Sequence, residues 1–300
     1  MTADVPAVIP PPNQPLSRAA QRSEPGPGLS LGRAFVYVLL FLGLLAMIGP
    51  FLWMLLGSFK EQSEFLRTPP TWLPENPTLD NFTKLIDRLD FPRYFINSTL
   101  VALVVTAGNL VFAPMLGYAL AKLRFAGKGV LMGLVLATLM LPGAATLIPL
   151  FVLMSALGLV NSYPALILPF LAGPFSVFLT RQFFIGLPDE LLEAARMDGA
   201  SEFRIFAQIA MPLAGPVLAT LAILVFLGTW NAFIYPLVMA QEPDMYTLPV
   251  ALATFATGQF QADHGMLMAG SVLLIAPVLV IFLLLQRWIT EGIATTGLKG

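Results

Sequence analysis

Six apolar runs, each long enough to cross a bilayer, limit what this chain can fold into. They cover residues 34–56, 95–120, 130–154, 163–184, 213–239 and 266–285. A spanning helix needs about 20 apolar residues. Inside a bilayer every backbone polar group must be satisfied by the chain itself, which leaves helices or a closed barrel. Runs that are apolar throughout, rather than alternating, select helices. Only 11% of the residues are charged and the mean hydropathy is +0.80, whereas a soluble domain carries about 25% charged residues. The reading is an all-α, six-span protein of the cell membrane.

Positive charge gives an orientation. With the N-terminus inside, the inner segments hold Arg18, Arg22, Arg33, Lys122, Arg124, Lys128, Arg181, Arg196, Arg204, Arg287 and Lys299, eleven of the sixteen Lys and Arg residues. The other five, Lys60, Arg67, Lys84, Arg88 and Arg93, share one outer loop of about 38 residues that also holds six acids. The positive-inside rule therefore gives N-in, C-in. Within that loop, Pro69, Pro70, Pro74 and Pro77 are followed by an amphipathic helix over 79–89, with Phe82, Leu85, Ile86 and Leu89 on one face. Residues 1–32, rich in Pro, Ser, Ala and Gly, read as a disordered cytoplasmic tail. They do not read as a signal peptide, because the first apolar run starts late and is too long.

Several chemistries lack their residues. There is no cysteine, and the single histidine, His264, stands beside one acid, Asp263, in a predicted loop. That excludes a thiol nucleophile and falls short of a metal site. No phosphate-cradling Gly-x-x-x-x-Gly-Lys-Ser/Thr loop and no catalytic constellation occurs. No Asp, Glu, Lys, Arg or His lies well inside a span, which argues against a proton-driven carrier and for an uncharged substrate. The expectation is a transport subunit, not an enzyme, with no metal or cofactor of its own and no nucleic-acid partner.

One polar segment, 186–212, interrupts the apolar pattern. Pro188 suits the start of a helix, and Asp189, Glu190 and Glu193 place negative charge at its positive end. Asp198-Gly199 reads as the stop, with Gly199 left-handed at C′. Ser201 then caps a second helix. Along it Phe203, Phe206 and Ile209 or Ala210 recur at helical spacing, until Pro212 ends or kinks it. In the spans, polar and aromatic groups gather at Asn97, Thr106 and Asn109 and at Trp230, Asn231, Phe233 and Tyr235. Asn109, Trp230, Asn231, Phe233 and Tyr235 are the candidate substrate pathway, aromatic faces for sugar rings and amides for hydroxyls. Each reads equally as a helix-packing group. Gly129 and Gly133 have the spacing of a helix contact.

The 186–212 segment resembles the EAA loop of bacterial ABC-importer permeases. Glu193, Ala194, Ala195, Gly199, Ile209 and Pro212 match that pattern at its spacing, with Met211 in place of the usual Leu. From about Arg33 onward the chain is similar to the MalG-type branch of carbohydrate permeases. Asp80-Asn81-Phe82 through Phe95-Ile96-Asn97-Ser98-Thr99, Gly228-Thr229-Trp230-Asn231-Ala232-Phe233 with Tyr235-Pro236-Leu237, Tyr246-Thr247-Leu248-Pro249-Val250, and Gln286-Arg287-Trp288 through Gly297-Leu298-Lys299-Gly300 carry that likeness. Ala232 stands where an acid is common. The resemblance implies a type I importer transmembrane domain over 33–300 that pairs with a second homologous permease, two ATPase subunits holding ATP and Mg, and an extracytoplasmic solute-binding protein. It implies ATPase coupling through Glu193, Ala194, Ala195, Asp198, Gly199, Phe206 and Pro212, and binding-protein contact through Tyr246, Thr247 and Pro249 in the loop 241–265. The implied substrate is a neutral disaccharide or short oligosaccharide. The alternatives are a permease for glycerol phosphate or a polyamine, or an ATP-independent channel or facilitator.

Overall fold

A computed structural model describes residues 31–257 and 263–296 of the chain, so nearly all of the expected N-terminal tail lies outside the described residues. All regular structure among the described residues is helical: α1 (Leu31–Gly57), α2 (Gln62–Phe65), α3 (Asp80–Arg88), α4 (Phe91–Lys122), α5 (Lys128–Met140), α6 (Gly143–Ala156), α7 (Tyr163–Ile167), α8 (Pro174–Ile185), α9 (Asp189–Met197), α10 (Glu202–Ile205), α11 (Met211–Leu213), α12 (Gly215–Trp230), α13 (Ile234–Met239), α14 (Leu248–Thr257) and α15 (His264–Thr296).

The apolar runs become four spans of sufficient length, Ala34–Gly57, Phe91–Lys122, Tyr163–Ile185 and His264–Leu284, and two sharply bent pairs. The third run is not one helix. α5 and α6 meet at 109°, because Leu141 and Pro142 both adopt extended backbone. Proline disfavours helical conformation in the residue before it and donates no hydrogen bond itself. In the second pair, the α10–α11 segment meets α12 at 77°, across Pro212, Gly215 and Pro216. α12 ends at Trp230, and the chain resumes helix only at Ile234, so the fifth run is also broken.

α4 is the central element of the body Phe51–Gly300, packing against α8 and α12, with α12 in turn against α15 and α15 against α3. Its 32 residues give roughly 48 Å of helix at about 1.5 Å each. The α4–α8 approach depends on Gly117: a Cβ there would stand 2.8 Å from the Arg181 backbone nitrogen and closer still to the Thr180 hydroxyl. Thr180 Oγ1 donates within its own helix and across to Ala113 O at 3.1 Å. By contrast, nothing lies within 4 Å of a Cβ at Gly129 or Gly133, so that pair is not a helix contact here.

The loop between α1 and α3 folds on itself. Lys60 is buried, donates to Thr71 O and lies 4.5 Å from the Trp53 ring centroid. Asn81, also buried, donates to Ser58 O and Lys60 O at 2.9 and 2.8 Å. Buried Glu64 accepts from the Glu75 amide at 3.1 Å. Burial alone would raise the Glu64 carboxyl, but amide donors from Glu75, Asn76 and Glu61 outweigh it and hold it below its ordinary value. Arg67 pairs with Glu75, Arg88 with Asp263 and Arg93 with Asp244. Four of the five cations that disagreed with the charge rule thus have local partners. α3 buries Asn81 and Leu85, whereas Ile86 is exposed, so the expected apolar face is rotated toward Asn81.

Candidate functional site

The two ends of α4 each carry a polar structure. At the Lys122 end stands the hairpin α9–α10. Asp189 and Glu190 occupy the first turn of α9 and Arg196 its last, each sign matched to the helix dipole. Gly199 has φ +78°. Its N–H donates to Arg196 O, and the Ala200 N–H reaches back to Ala195 O, both at 3.0 Å. This is a Schellman stop. A Cβ on Gly199 would meet nothing, so backbone conformation alone demands glycine there. Ser201 caps α10 by accepting from Arg204 N.

Beyond α10 the expected pattern shifts. Phe206–Ala210 winds as a π-helical turn before Pro212, and the buried positions are Ile205, Phe206, Ala210 and Ala214 while Phe203 is 70% exposed. A π turn moves every later side chain off the 3.6-residue register. Leu192, Ile205 and Phe206 pack with Tyr118 of α4 and Phe184 of α8. The Tyr118 ring lies 5.6 Å from Phe184 and 5.3 Å from Phe206. Phe206 is therefore an internal pin of the hairpin, not part of its free surface. Glu193, Ala194, Asp198, Gly199 and Pro212 are exposed, and Ala195 half-buried.

Charged contacts reinforce the pin. Arg196 grips Glu202 with two bonds, at 2.7 and 3.3 Å. Lys122 donates to Asp189 Oδ1 at 2.6 Å and to Leu187 O at 2.7 Å. The Lys122 ammonium keeps the Asp189 carboxyl below its ordinary value. Lys128 donates to Ala121 O and Leu123 O, and Arg181 to Leu120 O, covering carbonyls that the end of α4 leaves without helical partners. Between these groups lies a groove of about 850 Å³ with Glu193 on its wall.

A second cavity, about 290 Å³, runs from the middle of α4 toward its Phe91 end. Asn109, Gly173 and Ser176 form one wall, Leu224, Thr229 and Tyr235 another, and Ser98 and Thr247 its Phe91-ward limit. No charged side chain lines it among the described residues. Phe170 and Tyr235 meet edge to face at 4.8 Å on its rim.

Of the five expected pathway residues, Asn109 and Tyr235 line this cavity, and Trp230, Asn231 and Phe233 do not. Trp230 is buried between helices, donates to Leu274 O at 3.0 Å and stacks on Phe226 at 5.7 Å. Asn231 donates back to Leu227 O within its own helix. Asn109 also has its amide engaged, with Val105 O, Phe170 O and Gly173 N, and Tyr235 donates to Ala165 O at 2.8 Å. All four polar handles bond backbone, so packing explains them, and two additionally face the cavity. Cavity residues Phe170, Ser176 and Thr229 were not anticipated, since single residues in apolar runs carry no periodic signal.

Thr247, expected on a surface for a docked protein, is buried and turned to the cavity; its hydroxyl has no protein partner among the described residues. Tyr246 packs at 6.4 Å on Tyr94, and Pro249 is half-buried at the start of α14. The preceding loop is fastened to α4. Asn97 Nδ2 donates to Asp244 O and Tyr246 O, both at 2.9 Å, while its Oδ1 accepts from Tyr163 Oη at 2.6 Å. Ser98 accepts from Leu248 N at 2.7 Å. Asn161, at φ +61°, accepts from the amides of Gln241 and Glu242.

Residues 113–295 match the family described as binding-protein-dependent transport system inner membrane component. The chain is 40% identical to the arabinooligosaccharides transport system permease protein AraQ of Halalkalibacterium halodurans, covering 91% of this chain and 96% of that one. It is 34% identical to the diacetylchitobiose uptake system permease protein NgcG of Streptomyces coelicolor, over 87% of each. The fold is similar to a chain in a crystal structure of a bacterial ABC transporter involved in import of the acidic polysaccharide alginate, with a TM-score of 0.78, 23% identity, and 87% and 99% of the two chains covered.

Proposed function

This chain belongs to the binding-protein-dependent transport system inner membrane component family, and from that premise we propose that it is one half of the translocation pathway of an ATP-driven importer for a neutral oligosaccharide. Membership makes it a multi-pass transport subunit of the cell membrane. The observation that carries the substrate class is the set of sugar permeases that it matches along most of its length. Neutrality rests on the cavity wall, which has no charged side chain to meet a charged solute. It does not rest on kinship, because the structural neighbour belongs to an importer of an acidic polysaccharide.

In this reading the N- and C-termini are cytoplasmic, and α9–α10 docks on one of two ATPase subunits that bind ATP and Mg. Glu193, Ala194, Ala195, Asp198 and Gly199 offer the free face, and Phe206 and Leu192 join the hairpin to α4 and α8. A second permease completes the pathway, and a solute-binding protein delivers substrate at the Phe91 end of α4. ATP-driven closure of the ATPases moves the hairpin, and α4 with α8 moves as one body because Gly117 and Asn109 lock them together. The test is copurification and uptake. The assembled complex, with ATP inside vesicles and the binding protein outside, should take up labelled oligosaccharide saturably, and omission of the ATPase should abolish it. Uptake of a polyamine or glycerol phosphate in place of every sugar would favour the other-solute permease.

A further inference from the structure

We propose that Asn97 is the latch of the outer gate: its one amide group holds the 241–247 loop over the substrate cavity, and its release opens that cavity to the outside. The proposal rests on the permease reading. Asn97 is 1% exposed and uses donor and acceptor together. Both Nδ2 hydrogens go to carbonyls of the loop, Asp244 O and Tyr246 O, and Oδ1 takes the Tyr163 hydroxyl. One residue therefore ties three segments far apart in sequence: α4, the start of α7 and the loop before α14. The residue next to it, Ser98, holds Leu248 N, and Ser98 with Thr247 forms the Phe91-ward limit of the cavity.

Two independent features mark this closure as made to release. Thr247 Oγ1 has no protein partner among the described residues, so its side chain adds no bond that must break when the loop lifts. And the latch is neutral. Once the loop lifts, water can take up the amide and the carbonyls it leaves, so amide–carbonyl bonds exchange at little net cost, whereas a buried ion pair would resist opening. The Arg93–Asp244 pair beside it, 3.0 Å apart and 47% and 68% exposed, is screened by solvent and adds little.

The test uses the complete permease–ATPase complex in cells without a solute-binding protein. The chain has no cysteine, so Ser176→Cys places a single thiol on the cavity wall. An impermeant thiol reagent should label it slowly from outside. Adding Asn97→Ala should raise the labelling rate about tenfold or more, since three hydrogen bonds are lost together, and should let ATP hydrolysis proceed without the binding protein. Tyr163→Phe, which removes a single hydroxyl, should raise labelling about two- to fivefold; it carries the test if Asn97→Ala does not assemble. Labelling at the parental rate in the variant or variants that assemble overturns the latch. Because labelling needs no substrate, a failure of the latch is distinguishable from a failure of the permease reading, which would show as absent sugar uptake in the unmodified complex.

Discussion

The Lys122 end of α4 and its Phe91 end are both polar, yet they are built on different principles. At the first, charges face outward and apolar side chains face inward: Glu193 and Asp198 are exposed, while Leu192, Ile205 and Phe206 are buried against Tyr118 and Phe184. At the second, the groups that join segments are neutral and shielded: Asn97, Ser98 and the Tyr163 hydroxyl. Apolar burial contributes about 1.5–3 kcal/mol per large side chain and does not exchange readily for water. Hydrogen bonds contribute about 0.5–1.5 kcal/mol each and do. In the proposed function, the surface that transmits force is pinned by the first kind of contact, and the closure that opens is fastened by the second.

The contrast requires α4 and α8 to move together, and Gly117 is where that can be broken most severely. Gly117→Val puts a branched side chain against the Arg181 backbone. Separation of the helices should cost about 1–3 kcal/mol or more, read as a loss of thermal stability and of assembled complex. Gly199→Val is next. It opposes a left-handed backbone, at about 1–2 kcal/mol or more, at a site with no steric crowding. Insertion should persist while ATP-driven uptake falls about tenfold; Gly199→Ala should fall less. Uptake at the parental rate in Gly199→Val would remove the docking role. Arg196→Gln should sharpen the distinction by doing little. Its pair with Glu202 is partly exposed, 37% and 45%, so hydrolysis and uptake should change by less than about 1 kcal/mol equivalent, and less still in high salt.

The smallest expected effect concerns the loop between α1 and α3. The Glu64 carboxyl lies below its ordinary value, so its charge stabilises the fold above the unfolded value, and that contribution is lost as pH falls through the folded one. Glu64→Gln should therefore lower the melting temperature slightly at pH 7, and the difference from the parent should shrink on acidification below the ordinary carboxylate range, as circular dichroism would show. A difference that grew on acidification would contradict the assignment.

The first of the two ends was legible in the sequence. A charged segment between apolar runs, a glycine where a helix must stop and a serine where one must start gave the hairpin and its turn, but not its whole free face, since Phe206, expected there, is buried. Phe203 was misplaced, because a π turn breaks the spacing from which its partners were inferred. The other end was not legible. Asn97 was visible as a polar residue in an apolar run, but its partners are the backbone carbonyls of Asp244 and Tyr246, about 150 positions away, and backbone acceptors leave no mark in a sequence. Trp230 misled for a related reason: an indole that packs between helices looks the same in sequence as one that stacks on sugar. The breaks at Leu141-Pro142 and Asn231–Phe233 fall inside runs that read as single spans, because apolar composition is continuous across them and packing sets their angles.

Reconstituted uptake distinguishes an ATP-driven sugar importer from the other readings. Vesicles are prepared with the permease pair, the ATPase and internal ATP, with the solute-binding protein outside, and are offered labelled neutral oligosaccharides alongside a polyamine and a phosphate ester. Saturable accumulation of an oligosaccharide that stops without ATP is the predicted result. Equal uptake by vesicles lacking the ATPase, or transport of the charged solutes alone, would contradict it.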